Sequence, residues 1–132
     1  YKKLPNHVLQ LDGTIHHYVE PLQVPEEIET LCEWVEGDGA KLHPAIRGAI
    51  VHYNFVRIHP FDDGNGRGAR ILMNLILMQD KFPPAIIRNE KRRAYIDALA
   101  KADDGELGPF IQFVATSVVE TLEMVVEELR KA

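Results

Sequence analysis

A single cysteine, Cys32, stands among 132 residues, which rules out an internal disulfide and any Cys-rich metal site. Set in an apolar helical pattern, it is expected to be a small core residue and not a nucleophile. No uninterrupted apolar run reaches the roughly 18 residues a membrane-spanning helix needs. The opening Tyr1-Lys2-Lys3-Leu4-Pro5 lacks the apolar centre of a signal peptide. These absences lead to the expectation of a cytoplasmic protein without membrane contact. There is no initiator methionine, as in a segment of a longer protein. Positive charge is in deficit: 15 Lys and Arg against 20 Asp and Glu leave a net charge of −5, which excludes a general nucleic-acid or membrane-surface binder. Repeats, low-complexity runs and linkers are also missing. With 45% hydrophobic and 27% charged residues, the chain is expected to form one globular domain over 1–132.

Proline and glycine punctuate what is present. Residues 1–24 carry Pro, Gly, His and β-branched types without a helical period. The run Ile15 to Glu20, then Pro21 and Leu22-Gln23-Val24, predicts a small β-hairpin. From Pro25 a helix is expected, opened by Glu26 and Glu27, carried by Ile28, Leu31, Cys32 and Val35, and ended by Gly37 and Gly39. A second helix is expected from near Pro44 to about Ile58. A polar, glycine-rich loop leads from it into a third helix, Arg67 to Gln79. The third helix is apolar nearly all round, the pattern of a central buried element. Phe82-Pro83-Pro84 forces a break, and two further helices follow at roughly 88–103 and 109–130. In the last of these, Phe110, Phe113, Val114, Ser117, Val118, Thr121, Leu122, Val125 and Leu129 recur at helical spacing. The fold class is therefore all-α, a helical bundle with one small β excursion near the start.

The loop holds the chemistry. Gly64-Asn65-Gly66 runs straight into a helix, whose unpaired N–H groups and positive dipole end favour an anion. Glycine lets the backbone approach a bulky ligand. Arg67 and Arg70 project from one side of the first turns, and two guanidinium groups suit a polyphosphate better than a single carboxylate. Asp62 and Asp63 place carboxylate oxygen beside it, the usual protein share of a Mg²⁺–phosphate site. His59 can take a proton near neutral pH. Asp-Gly and Asn-Gly are also hairpin signals, but both flanks are helical and neither alternates. No Gly-Lys-Ser/Thr follows, so this is not a Walker loop, and a helix instead of a strand precedes it, so it is not a dinucleotide fingerprint.

The stretch from His59 to Arg70 resembles the signature of the Fic family, His-x-Phe-x-Asp/Glu-Gly-Asn-Gly-Arg-x-x-Arg, and matches all eight specified positions. At ordinary residue frequencies that coincidence arises on the order of once in 10¹⁰ starts. The Pro-x-x-Val-Pro turn at 21–25, Trp34, Tyr53 and Gly-Pro-Phe-Ile at 108–111 also look like Fic core, so the resemblance covers nearly the whole chain. It implies a Fic-fold helical bundle with a catalytic loop at 59–70 and a flap at about 15–24. It implies a protein adenylyltransferase that moves AMP from Mg²⁺-bound ATP (Mn²⁺ serving as a substitute) to a Ser, Thr or Tyr hydroxyl. His59 would be the base and Asp63 would hold the metal between the α- and β-phosphates. Asn65, with the backbone N–H groups of the Gly64–Gly66 turn, would stabilise the α-phosphate, and Arg67 and Arg70 would hold the β- and γ-phosphates. Phe61 would turn inward and anchor the loop. The flap would pair in β fashion with the target protein.

Relatives with Asn-Lys-Arg in place of Gly-Asn-Gly-Arg are phosphotransferases of the Doc type, and Gly66-Arg67 here favours AMP transfer. Other transfers by the same loop (UMP, phosphocholine, γ-phosphate), removal of AMP, and a purely nucleotide-binding regulatory module are the alternatives. Many Fic proteins are held off by a helix bearing Ser/Thr-x-x-x-Glu-Gly/Asn. Here the nearest match, Thr116 to Glu120, is followed by Thr121, so the inhibitory element is expected to lie outside this segment. Tyr95 resembles an aromatic that lines the adenine pocket, although Ile96 replaces the second aromatic often found beside it. His7, His16 and His17 lack carboxylate or Cys partners at ligand spacing, and His52, seven residues before His59, reads as a satisfied buried histidine. The run Arg88 to Arg93 reads as a solvated first turn, and Glu127-Glu128 with Arg130-Lys131 as helix surface. Family members often form homodimers, but no residue here marks an interface.

Overall fold

The computed structural model describes residues 1–10 and 12–132. Two short strands, β1 (His7–Leu9) and β2 (Ile15–His17), pair antiparallel with Val8 opposite His16. The hairpin therefore joins 7–9 to 15–17, and the expected pairing of 15–20 with 22–24 is corrected. The turn chemistry explains the difference. Gly13 sits in the left-handed region at φ 84°, and the Asp12 carboxylate accepts from both the backbone N–H and the hydroxyl of Thr14 (2.9 and 2.6 Å). Asp-Gly is a strong hairpin signal, and here it lies upstream of Ile15. Pro21–Gln23 forms a 3₁₀ turn that feeds directly into helix α1 (Val24–Glu36).

Helix α1 lies at the edge of the bundle against α2 (Pro44–Ile58), so only Val24 is fully buried and Cys32 is exposed. The core position expected for Cys32 is thus corrected: the helix has a partner on one side only. A 3₁₀ turn at Asp38–Lys41 follows α1, and Gly39 in it lies against the Trp34 ring, where an added Cβ would come within 2.7 Å.

Helix α2 begins at Pro44, with His43 capping it by accepting from the Ala45 N–H at 3.1 Å. It packs most closely on α3 (Asn65–Gln79). Gly48 permits that approach, since a Cβ there would stand 3.3 Å from both Met73 Cγ and its carbonyl oxygen. At the far end Arg47 donates to Asp80 at 2.6 Å, closing α2 against the end of α3. Ala45, Ala49, Met73, Leu77, Ala85, Phe110, Val114 and Val118 belong to one contiguous core. Only one stripe of α3 enters it. Ile71, Leu75 and Met78 are 61%, 51% and 57% exposed, so the helix expected to be buried all round instead carries a bare apolar face.

After the Pro83-Pro84 break and a 3₁₀ turn at Asn89–Lys91 come α4 (Arg92–Asp103) and α5 (Gly108–Lys131), which pack together, with α5 also packing on α2. In α5 the stripe Phe110, Val114, Ser117, Val118 and Thr121 is buried, while Leu122, Val125 and Leu129, expected on the same stripe, are exposed. Helix α5 outruns the body it packs on. By length and composition alone it is apolar enough to cross a membrane, with mean hydropathy 1.4 over its most apolar window and 28% of that window buried.

Candidate active site

Everything proposed from the loop converges where α2 ends and α3 begins. The chain leaves α2 at His59, which takes the left-handed conformation (φ 52°, ψ 60°) while its N–H closes on the Phe55 carbonyl at 2.9 Å. Pro60 disfavours a further helical residue before it, and a left-handed residue other than glycine costs on the order of 1–2 kcal/mol. The N-terminal segment holds this corner. The Lys2 backbone N–H donates to the Pro60 carbonyl (2.8 Å), and its buried ammonium donates to Asn6 Oδ1 (2.6 Å) and the Ile58 carbonyl (3.4 Å). Burial lowers the Lys2 pKa, against the opposing pull of the Glu20 and Asp62 carboxylates. Asn6 reaches on to the Phe61 carbonyl at 3.2 Å.

His59 is half-buried, with Nδ1 3.2 Å from the Val56 carbonyl. That contact favours a proton on Nδ1, which leaves the Nε2 lone pair as the base. Burial lowers the imidazole pKa below 6.5, with the charges of Lys2 and His16 acting in the same direction and the Val56 bond opposing. The ring of Tyr18, just past β2, lies flat on that of His59, with centroids 3.6 Å apart and planes 9° apart.

Asn65 opens α3 and is 3% exposed. Its Oδ1 accepts from the Phe61 N–H and its Nδ2 donates to the Phe61 carbonyl, both at 2.9 Å. The side chain thereby closes the loop on itself, a different task from the phosphate contact that the resemblance implies. Gly64 precedes it at φ 81°, and among the described residues no side chain caps α3. The first N–H groups of that helix are thus open to an anion. Asp63 accepts from the Gly64 N–H (2.8 Å) and lies 3.5 Å from Arg67, both side chains being well exposed. Phe61 does not turn fully inward. It is 43% exposed and flanked by Tyr1 and Phe55 at centroid distances of 6.0 and 6.2 Å.

A cleft of about 380 Å³ gathers His59, Asp62, Asp63, Gly64, Asn65, Gly66, Arg67, Arg70, Arg92, Tyr95 and Ile96. All the sequence-predicted site residues therefore meet in one place. Two residues escaped the sequence reading. Arg92, within a run that reads as solvated surface, brings a third guanidinium to the cleft, and its spacing of three from Tyr95 on a helix is the available signal. Tyr18 carried no local signal, because its contact with His59 spans 41 residues.

Tyr95 forms the wall opposite α2, and burial pushes its phenol up against the opposing charges of Arg70 and Arg92. Its hydroxyl lies 3.0 Å from Nε2 of His52, which is completely buried. Burial, aided by the charge of Arg70, lowers the His52 pKa to about 4, so the ring is neutral at pH 7. A depressed histidine pKa gives stability that is complete above 6.5 and lost as pH falls toward 4. The loss expected from 6.5 to about 4 is about 3 kcal/mol. Urea midpoints of the wild type and His52→Gln across that range check this, and the variant should show the shallower decline.

Outside the cleft the remaining readings separate. His16 lies 3.9 Å from Asp103, whose other oxygen accepts from the Tyr53 hydroxyl at 3.0 Å. Burial and the Asp103 carboxylate push Tyr53 up to about 12. His7 and His17 are cross-strand neighbours, and among the described residues no group of three or more His, Cys, Asp or Glu side chains could hold a metal. Glu120 pairs with Lys91 at 3.7 Å, and Thr121 donates to the Ser117 carbonyl.

Fold and loop together define a class: a helical bundle in which a His-capped helix and an uncapped, glycine-led helix meet over a cluster of arginines. Residues 2–77 match the Fic/DOC family, and the chain belongs to it. It is 43% identical over 104 residues to the protein adenylyltransferase Fic of Nematostella vectensis, an alignment that covers 78% of this chain and 24% of that protein. A Fic domain containing signalling protein from Bacteroides thetaiotaomicron superposes with a TM-score of 0.90 at 30% identity, over 96% of this chain and 53% of the other. Fic-1 from Caenorhabditis elegans superposes with a TM-score of 0.81 at 37% identity, over 86% and 34%. The chain thus spans about a quarter of the curated relative and about half of the Bacteroides chain.

Proposed function

We propose that this domain is a nucleotidyltransferase that moves AMP from ATP to a hydroxyl of a target protein. The observation that carries the reading is the seating of His59. Its Nδ1 is tied to Val56, leaving Nε2 available, and it shares the cleft with the uncapped start of α3 and with Arg67 and Arg70. In the proposed step, His59 Nε2 takes the proton of a Ser, Thr or Tyr hydroxyl. The oxygen bonds to the α-phosphorus, and the bridging bond to the β-phosphate breaks to release pyrophosphate. The first N–H groups of α3 and the guanidinium groups of Arg67 and Arg70 hold the phosphates and the charge that develops on them. Tyr95 provides a face for the base.

The donor set fits Mg²⁺ that arrives with the nucleotide. Asp63 is an exposed carboxylate beside the phosphate cradle, with Asp62 adjacent. Mg²⁺ is commonly held by one or two carboxylates plus phosphate oxygens and water. Asp63 would hold the ion, which neutralises phosphate charge when bound.

The relatives named as protein adenylyltransferases support AMP over other transferred groups. ATP labelled at the α- or the γ-phosphate, incubated with Mg²⁺ and a target-rich lysate, tests the proposal. Protein label from α-labelled ATP alone is the expected result. Label from γ-labelled ATP alone would replace it with phosphotransfer, and tight ATP binding without label from either would leave a nucleotide-binding module.

A further inference from the structure

The base in this site is packed by a residue from outside the loop. Tyr18 and His59 stack nearly parallel, with centroids 3.6 Å apart, close enough for continuous ring-on-ring contact. Tyr18 immediately follows β2, and its N–H reaches the Asn6 carbonyl (3.4 Å) at the open end of the hairpin. On its other side it meets His16 edge-on at 4.9 Å. The imidazole is thus gripped in two independent ways. The Val56 carbonyl fixes one in-plane nitrogen, and the Tyr18 ring covers one face. A hydrogen bond to one ring nitrogen still permits the ring to tilt about that bond, whereas a flat contact on the face does not.

We propose that Tyr18 is a positioning residue for His59, holding the imidazole plane so that Nε2 faces the cleft and keeping water from the covered face. The proposal rests on His59 acting as the base. The flat aromatic ring does this work, since the Tyr18 hydroxyl has no hydrogen-bond partner on His59. Burial is the largest influence lowering the His59 pKa, and Tyr18 covers one face of that ring. The charged or titratable groups that act on His59 from neighbouring elements are Lys2 in the N-terminal segment and His16 on β2. Both disfavour its protonation, and both remain when Tyr18 is changed.

The test uses Tyr18→Ala and Tyr18→Phe, each followed by NMR titration of the His59 ring and by steady-state transfer from ATP. In Tyr18→Ala the His59 midpoint should rise toward the ordinary 6.5 and the acid limb of kcat should move up with it. Its kcat should fall on the order of tenfold or more while KM for ATP stays within about twofold. Tyr18→Phe, which keeps the flat ring, should match the wild type in both readouts. An unchanged His59 midpoint in Tyr18→Ala would overturn the proposal, and so would a Tyr18→Phe variant as impaired as Tyr18→Ala. Full transfer activity in His59→Ala would defeat the base assignment instead, and the NMR midpoint would still report whether Tyr18 governs the ring.

Discussion

His59→Ala is expected to reduce transfer about 10²–10⁴-fold, with ATP binding nearly unchanged. The ring sits at the turn between α2 and α3, and its removal leaves the Val56 carbonyl and the uncapped helix in place. The loss should therefore appear in kcat more than in KM for ATP, because the phosphates are held by Arg67, Arg70 and backbone N–H groups in this account. The pH dependence carries a sign. The depressed His59 pKa means that the neutral base is already present below pH 6.5, so wild-type activity should rise through an acid limb centred under that value and then level off. A limb centred above 6.5, or one that survives in His59→Ala, would assign the titration to another group.

Asn65→Ala should have the second largest effect, and it should act on stability and activity together. Its amide pairs with both the N–H and the carbonyl of Phe61 from a position 3% exposed; alanine strands the N–H and leaves the carbonyl only its bond from Asn6. A stranded buried polar group costs about 1–3 kcal/mol, so a fall in Tm of several degrees is expected. The loop that aims Gly64 and Asp63 loosens with it, and transfer should fall about 10²–10³-fold. Asn65→Asp separates the two roles of the amide. The aspartate can still accept from the Phe61 N–H but cannot donate to its carbonyl, and it sets a negative charge at the anion site. It should therefore bind ATP less well than Asn65→Ala while folding at least as stably. Thermal melts and ATP titrations of the two variants decide this.

Local signals made the helices legible. Pro44, the Pro83-Pro84 break, Gly37 and the spacing of Phe110, Val114 and Val118 each act within a turn or two of chain, and the structure places helix boundaries within a few residues of them. The site was legible for the same reason, since residues 59–70 are contiguous and needed no long-range contact to be brought together. What the sequence could not carry were facts set by packing partners. Cys32 and Ile71 lie in apolar patterns like those of buried residues, yet both face away from the bundle because α1 and α3 have neighbours on one side only. The expected hairpin of 15–20 with 22–24 gives way to pairing with 7–9, because the Asp12-Gly13 turn favours the upstream partner. Asn65 matched its motif and still turned toward Phe61, which no spacing rule specifies. Tyr18 reaches His59 only because the hairpin folds back over the end of α2.

The chemical identity of the adduct tests the central claim most directly. Mass spectrometry of a modified target peptide after incubation with ATP and Mg²⁺, with the released phosphate species assayed in parallel, reads both products of one step. AMP on a Ser, Thr or Tyr hydroxyl, with an equal amount of pyrophosphate and neither product from His59→Ala, is the expected result. A peptide carrying phosphate alone with release of ADP, or AMP transfer undiminished in His59→Ala, would contradict the account.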